Sequence, residues 1–338
     1  MKRVIIVFAA CLLLAMPAAQ ALSGQSQQQA AKKTDEEAVR VETTLVTIPV
    51  VAMDRDGKFV PDLRVADFHL YEEGIEQEIA FFHAAEEPIT VALLLDVSDS
   101  TEFRLDEILK AAIAFTEQLR PDDQVMVVAF DAQVRVLTEP TSDRAALHKA
   151  IRSARTGGGT RLYDAVYETL NHYKFKRHRG RRAMIVFTDG VDTGSYLPLI
   201  ASLRAASEAD VFIYPIQFNT VTAISDPINL PSRSRGINSG VSFGGTYRGD
   251  YAQADLYLRD LARKTGARLY QADNLSHLNK AFLSIAEELR KQYSLSFYPT
   301  APPQAGQRRR IKVTITRPSV VIRARDSYIY APSADAKK

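Results

Sequence analysis

One cysteine, Cys11, serves all 338 residues. It lies inside an amino-terminal apolar run, so the rest of the chain is excluded from disulfide and thiol chemistry and must draw its stability from a packed core. Charge of one sign is also scarce. Lys and Arg number 43 against 40 Asp and Glu, a formal net charge of +3. Without Lys2 and Arg3 that balance falls to about +1, which argues against a dedicated nucleic-acid binder. No apolar stretch after the amino terminus approaches the ~20 residues that span a bilayer. His69, His83, His148, His172, His178 and His277 show no ligand spacing on a common helix face, and no internal repeat is visible.

What is present is an ordinary globular composition, 46% hydrophobic and 25% charged, with length for one sizeable core and a smaller second domain. Met1-Lys2-Arg3, an apolar run to Met16 and small residues around Ala19-Gln20-Ala21 predict a cleaved secretory signal over residues 1–21. The mature protein is then exported, periplasmic or extracellular, with no transmembrane segment. A lipoprotein reading through Cys11 conflicts with the apolar run continuing to Met16. Residues 22–40 are rich in Gln, Ala, Lys and Glu and predict a disordered linker.

Alternating β-branched residues from Val41, a turn at 54–57 and strands expected at 68–70 and 75–82 predict a β-rich flank over 41–88. The turn Asp54-Arg55-Asp56-Gly57 is like the start of a calcium loop, but its twelfth position is Val65 and not an acidic residue. Residues 89–292 then alternate apolar runs with amphipathic segments. That grammar predicts an α/β fold, a doubly wound, mostly parallel sheet flanked by helices. Strands are expected from 89 to about 95 and at 125–130, 134–137, 183–188, 211–218 and 267–271. Helices are expected at 102–119, 143–154, 161–173, 197–209, 254–264 and 275–292.

Residues 219–250, rich in Ser, Gly and Arg, predict a flexible insertion. It contains Gly240-Val241-Ser242-Phe243-Gly244, without the preceding strand and following helix that a nucleophile elbow needs. Strands expected at 294–298, 311–316 and 320–329 pair with those of 41–82, so the flanks 41–88 and 293–330 form one small β-rich domain, followed by a disordered tail at 331–338.

The apolar run 91–95 ends abruptly in Asp96-Val97-Ser98-Asp99-Ser100. Read alone, this is either an N-capping cluster for the next helix or the start of an oxygen-ligand set for a hard cation. Thr160 closes the glycine loop 156–159, and Asp189 follows the central strand 183–188. In a doubly wound sheet the carboxyl ends of the strands share one edge, so the three loops are expected to meet there. Asp96, Ser98, Ser100, Thr160 and Asp189 are therefore the candidate metal ligands, with Mg²⁺ expected and Mn²⁺ or Ca²⁺ as alternatives.

These residues resemble the von Willebrand factor type A domain, over about residues 89–292. Asp96, Ser98 and Ser100 match its first motif, Thr160 its second and Asp189 its third, together the metal-ion-dependent adhesion site. The resemblance implies a Rossmann-like fold, direct contact of Ser98, Ser100 and, with a ligand bound, Thr160 with Mg²⁺, and contact of Asp96 and Asp189 mostly through water. The flanks, with Asp67-Phe68 and residues 293–298, also resemble the exported bacterial VWFA-related proteins. Asp99 stands where the family often has Gly. Facing the ion, it would oppose an incoming carboxylate by roughly 2 kcal/mol at about 7 Å and an effective dielectric of about 20; pointing to solvent or capping the next helix, it would not.

The function expected is capture of a protein ligand through an acidic side chain, in adhesion or envelope assembly. No catalytic residue is assigned. A metal with an open position can serve hydrolysis, but no His or second carboxylate is placed as a general base beside Ser98 or Ser100. A structural envelope component with a purely stabilising metal is the alternative. The basic runs 174–182 and 308–310 read as solvated connections or as contacts with an anionic surface.

Overall fold

The computed structural model describes residues 45–83, 88–176, 181–218, 247–301 and 304–330, and of Ser100, Glu102, Phe103, Tyr247 and Arg248 the backbone only. The expected signal, linker and tail, residues 177–180, and most of the 219–250 insertion with its Gly-x-Ser-x-Gly match lie outside the described residues.

Strand β1 (Val46–Asp54) buries one face fully and packs the other in part. Successive side chains in a strand point to opposite sides: Val46, Ile48, Val50 and Ala52 enter the core of the β-rich part, while Val51 and Met53 pack on the α/β core. Next come β2 (Phe68–Glu72), β3 (Ile75–Gln77) and β4 (Phe81–His83). The single strand expected at 75–82 is thus two, and they belong to different sheets, β3 beside β2 and β4 in the sheet of β1. Glu73 and Gly74, both at positive φ, make the tight turn between β2 and β3.

The α/β part follows as β5 (Ile89–Asp96), a 3₁₀ turn (Asp99–Arg104), α1 (Leu105–Gln118), β6 (Gln124–Phe130), β7 (Val134–Thr141), α2 (Arg144–Ser153), α3 (Leu162–Asn171), α4 (Tyr173–Lys176) and β8 (Arg181–Thr188). It continues with α5 (Leu199–Glu208), β9 (Phe212–Phe218), α6 (Tyr247–Thr265), β10 (Tyr270–Ala272) and α7 (Leu275–Arg290). Helix α6 begins at Tyr247, so the last four residues of the expected insertion are helical, and the helix begins seven residues before the expected Ala254. The helix expected from Glu102 begins as a 3₁₀ turn, in which the Thr101 hydroxyl donates to the carbonyls of Asp96 and Ser98.

The six-stranded sheet has the order β10-β9-β8-β5-β6-β7, parallel except for the edge hairpin β6–β7. From β5 the chain moves to β6 and β7 on one side and then returns to β8 on the other, so the order reverses beside β5. Every residue of β5 is buried. Val91, Leu93 and Leu95 face α1, α2 and α7, whereas Ala92 and Leu94 face α3, α5 and α6. This is why the run shows no polar alternation: both faces of a parallel sheet are covered. Amphipathic spacing supplies the cover, as with Ile108, Leu109, Ala112 and Phe115 on α1.

The chain ends in β11 (Tyr293–Phe297), β12 (Arg308–Ile315), β13 (Val320–Ala324) and β14 (Ser327–Ile329). Two four-stranded sheets result, β13-β1-β11-β4 and β14-β12-β2-β3, packed around Ile48, Leu70, Leu295 and Phe297. The expected strand 320–329 also splits between the two sheets. Arg325 marks the break: it is buried and bonds the carbonyl of Thr47 and the carboxylate of Asp210, each at 2.8 Å. Asp210 and Gly266, whose carbonyl accepts from Arg323 at 2.9 Å, precede β9 and β10. The β-rich part therefore docks at the amino ends of the parallel strands, and the carboxyl edge faces away from it.

Candidate metal-binding edge

Asp96 is the last residue of β5 and is fully buried. Its Oδ1 accepts the Ser98 amide at 3.0 Å and the Ser98 hydroxyl at 2.5 Å; its Oδ2 accepts the Thr188 hydroxyl at 2.6 Å. All of these donors are neutral. Burial, and next the charge of Asp189, push the Asp96 carboxyl up to about 7, against the lowering effect of the bonds from Ser98 and Thr188. Asp189 follows β8, the neighbour of β5, and is itself buried, with its Oδ1 accepting the Val191 amide at 3.1 Å.

The glycine loop joins this pair through the backbone. Gly157 donates to the carbonyl of Val97 at 2.9 Å and forms a parallel bridge with Ser98. A Cβ on Gly157 would lie 2.3 Å from Asp131 Oδ2, so only glycine fits. Asp131 cannot easily yield, because Arg135 binds its two oxygens at 2.8 and 2.6 Å and the Gln133 amide binds Oδ1 at 2.7 Å. At the loop's end Thr160 is buried; its amide donates to the Thr193 hydroxyl at 2.9 Å, and its carbonyl accepts the amides of Thr193 and Gly194 at 2.9 and 3.0 Å.

Three loops distant in sequence are thus fastened in a closed circuit: first to second at Val97–Gly157, second to third at Thr160–Thr193, third to first at Thr188–Asp96. Asp96, Ser98, Thr160 and Asp189 stand on that circuit. The backbone of Ser100 lies in the adjoining 3₁₀ turn. Asp99 is exposed, and its carboxylate stands over the glycine loop, 3.5 Å from where a Cβ on Gly158 would be.

The third loop is held further by two carboxylates absent from the candidate set. Asp164, buried on α3, accepts the amides of Tyr196 and Leu197 at 2.9 and 3.0 Å and the Arg161 side chain at 2.7 Å. Burial would raise its pKa, but these donors outweigh burial and hold it below the usual carboxylate value. Asp192 accepts the amides of Tyr163 and Ser195. Asp189 also borders a cavity of about 290 Å³ lined by Tyr251, Asp255 and Asp273.

Thr188, Asp131 and Thr193 are the positioning residues that sequence reading missed. Thr188 carried one legible cue, a hydroxyl directly before Asp189 at the end of an otherwise apolar strand. Among the described residues no group of three or more His, Cys, Asp or Glu side chains is placed to hold a metal. A cation here would therefore rely on hydroxyls beside the two carboxylates, and that donor chemistry, with a deeply buried carboxylate facing only neutral donors, fits a hard divalent ion.

No curated protein sequence matches the chain. Among solved structures, an aerotolerance-related membrane protein from Bacteroides fragilis is 17% identical, with 60% of this chain and 98% of that one covered at a TM-score of 0.42. The von Willebrand factor domain of the type V pilus tip protein Mfa5 from Porphyromonas gingivalis is 14% identical, covering 59% and 94% at 0.45. A von Willebrand factor type A protein from Catenulispora acidiphila is 10% identical, covering 87% and 75% at 0.46. The model of the von Willebrand factor type A family matches residues 91–191, a span that holds all five candidate ligands. This chain is therefore a von Willebrand factor type A domain protein over the matched residues 91–191.

Proposed function

We propose that this is an exported, non-enzymatic binding protein that holds Mg²⁺ through Asp96, Ser98, Ser100, Thr160 and Asp189 and, through that ion, captures an acidic side chain of a protein partner. The observation that carries the reading is Asp96, a fully buried carboxylate beside a second buried carboxylate, satisfied only by hydroxyls and an amide. Such a pair is costly without a cation, because burial and like charge both oppose ionisation. A bound Mg²⁺ would supply both the compensating charge and a coordination position for the partner's carboxylate oxygen. Export rests on the amino-terminal sequence, with its basic start, apolar run and small residues. A non-enzymatic role is supported by Ser98, which is buried and gives its hydroxyl proton to Asp96.

Titration calorimetry of the chain with Mg²⁺ and Mn²⁺ tests the reading. One site is expected, abolished by Asp96→Ala and weakened by Thr160→Ala. Parent-like binding in Asp96→Ala, or no binding by the parent, overturns it.

A further inference from the structure

At the other end of the molecule, a groove of about 850 Å³ opens between the β-rich part and the carboxyl end of α6. One wall is β12. Along it Arg308, Arg310 and Lys312 are exposed while Arg309 and Ile311 are buried, so three cations stand on one face of a single strand. Alternate residues of a strand lie about 7 Å apart. The ladder is firmly mounted: buried Arg309 binds Glu72 at 2.9 Å and the carbonyl of Ala301 at 2.8 Å, and Tyr328 donates to the same carboxylate at 2.5 Å. Arg263 and Lys264, from the last turn of α6, form the opposite wall.

The charges in this groove do not balance. Five cations line it against two carboxylates, Glu73 and Asp326. Arg310 pairs with Glu73 at 3.0 Å and Arg263 with Asp260 at 2.9 Å. Among the described residues Lys264, Arg308 and Lys312 pair with no carboxylate. Tyr71, directly opposite Lys312 in the sheet, adds an apolar surface beside the charges.

We propose that this groove binds an extended acidic segment of a protein partner, with alternate Asp or Glu side chains seated along Arg308, Arg310 and Lys312. The spacing decides the class. In an extended peptide, side chains on one face recur every second residue at about 7 Å, the same repeat as the cations. A bilayer surface is flat and does not fill a concave groove. The site is separate from the metal edge, since it lies toward the amino ends of the parallel strands, and it needs no metal.

Fluorescence anisotropy with the whole chain provides the test. The probes are a labelled peptide bearing glutamate at every second position, a peptide of the same composition with its glutamates contiguous, dextran sulfate, and vesicles of phosphatidylcholine with phosphatidylglycerol. The alternating peptide is expected to bind more tightly than the contiguous one, equally well with chelator and in Asp96→Ala. The double variant Arg308→Ala, Lys312→Ala should weaken it about tenfold, since two exposed charge contacts are lost. Among the described residues neither side chain has an ion-pair partner to strand, and Lys264→Ala gives an independent second variant. The proposal is overturned if the alternating peptide fails to bind, if it binds no better than the contiguous one, if the variants match the parent, or if dextran sulfate or vesicles bind while the peptide does not.

Discussion

Burial beside a second carboxylate opposes ionisation, and Asp96 shows the sign of the effect. Burial and then the charge of Asp189 push its carboxyl up to about 7, above the 3.8 of an ordinary aspartate. The native state therefore holds the proton more tightly than the unfolded chain does. The stability this group contributes is fully present below about pH 4 and is lost as pH rises to about 7, beyond which it falls no further. A divalent cation bound as proposed would compete with that proton, so stabilisation by saturating Mg²⁺ should be small near pH 5 and reach its full size above about pH 7. Melting temperatures measured with Mg²⁺ and with chelator across this range check it. Asp96→Asn should show neither the acid-favoured stability nor the Mg²⁺ increment, and a Mg²⁺ increment independent of pH would refute the linkage. Of the candidate set, Asp96, Thr160 and Asp189 were legible in the sequence because each stands at the end of an apolar strand or a glycine loop. Thr193 and Asp131 were not, because they act through a backbone amide and through the space beside a glycine, and neither leaves a periodic mark.

Among the elements, the order of strands and helices was readable, since buried parallel strands appear as bare apolar runs and the helices as 3.6-residue stripes. The corrections fall where a strand changes sheet. Residues 75–82 and 320–329 read as continuous strands, yet each breaks so that its halves enter opposite sheets of the β-rich part. Local alternation is the same on either side of such a break, so it carries no signal. The glycine loop is the element whose fit is most exacting. Adding one methyl group at Gly157 drives it against the Asp131 carboxylate, which Arg135 and Gln133 hold in place. Gly157→Ala should therefore cost about 1–3 kcal/mol in denaturant unfolding, the usual range for overpacking. It should also weaken Mg²⁺ binding, because the loop must retreat from Val97 and Ser98. Adding Asp131→Ala should recover part of the stability. A single variant as stable as the parent would mean that the loop adapts freely.

For the molecule as a whole, the question is whether the β-rich part and the α/β part unfold together. The junction holds a fully buried carboxylate, Glu288 of α7, which accepts the Tyr214 hydroxyl at 2.6 Å and pairs with Arg323 of β13. Arg323 also reaches the carbonyl of Gly266, and a Cβ on Gly266 would lie 2.7 Å from the amide nitrogen of Arg325, so backbone meets backbone there without room for a side chain. Removing one partner of a buried ion pair strands the other, at a typical cost of about 3–5 kcal/mol, whereas replacing both with apolar groups is often neutral. Arg323→Ala should thus lower the unfolding midpoint sharply, and Arg323→Met with Glu288→Leu should recover much of the loss. Because this junction and the candidate metal edge lie at opposite ends of the parallel strands, the Mg²⁺ affinity expected there, measured by calorimetry at a temperature where all variants are folded, should stay at the parent value. A large loss of Mg²⁺ affinity in Arg323→Ala would instead show that docking of the β-rich part is felt at the carboxyl edge, with α7 and the sheet transmitting it.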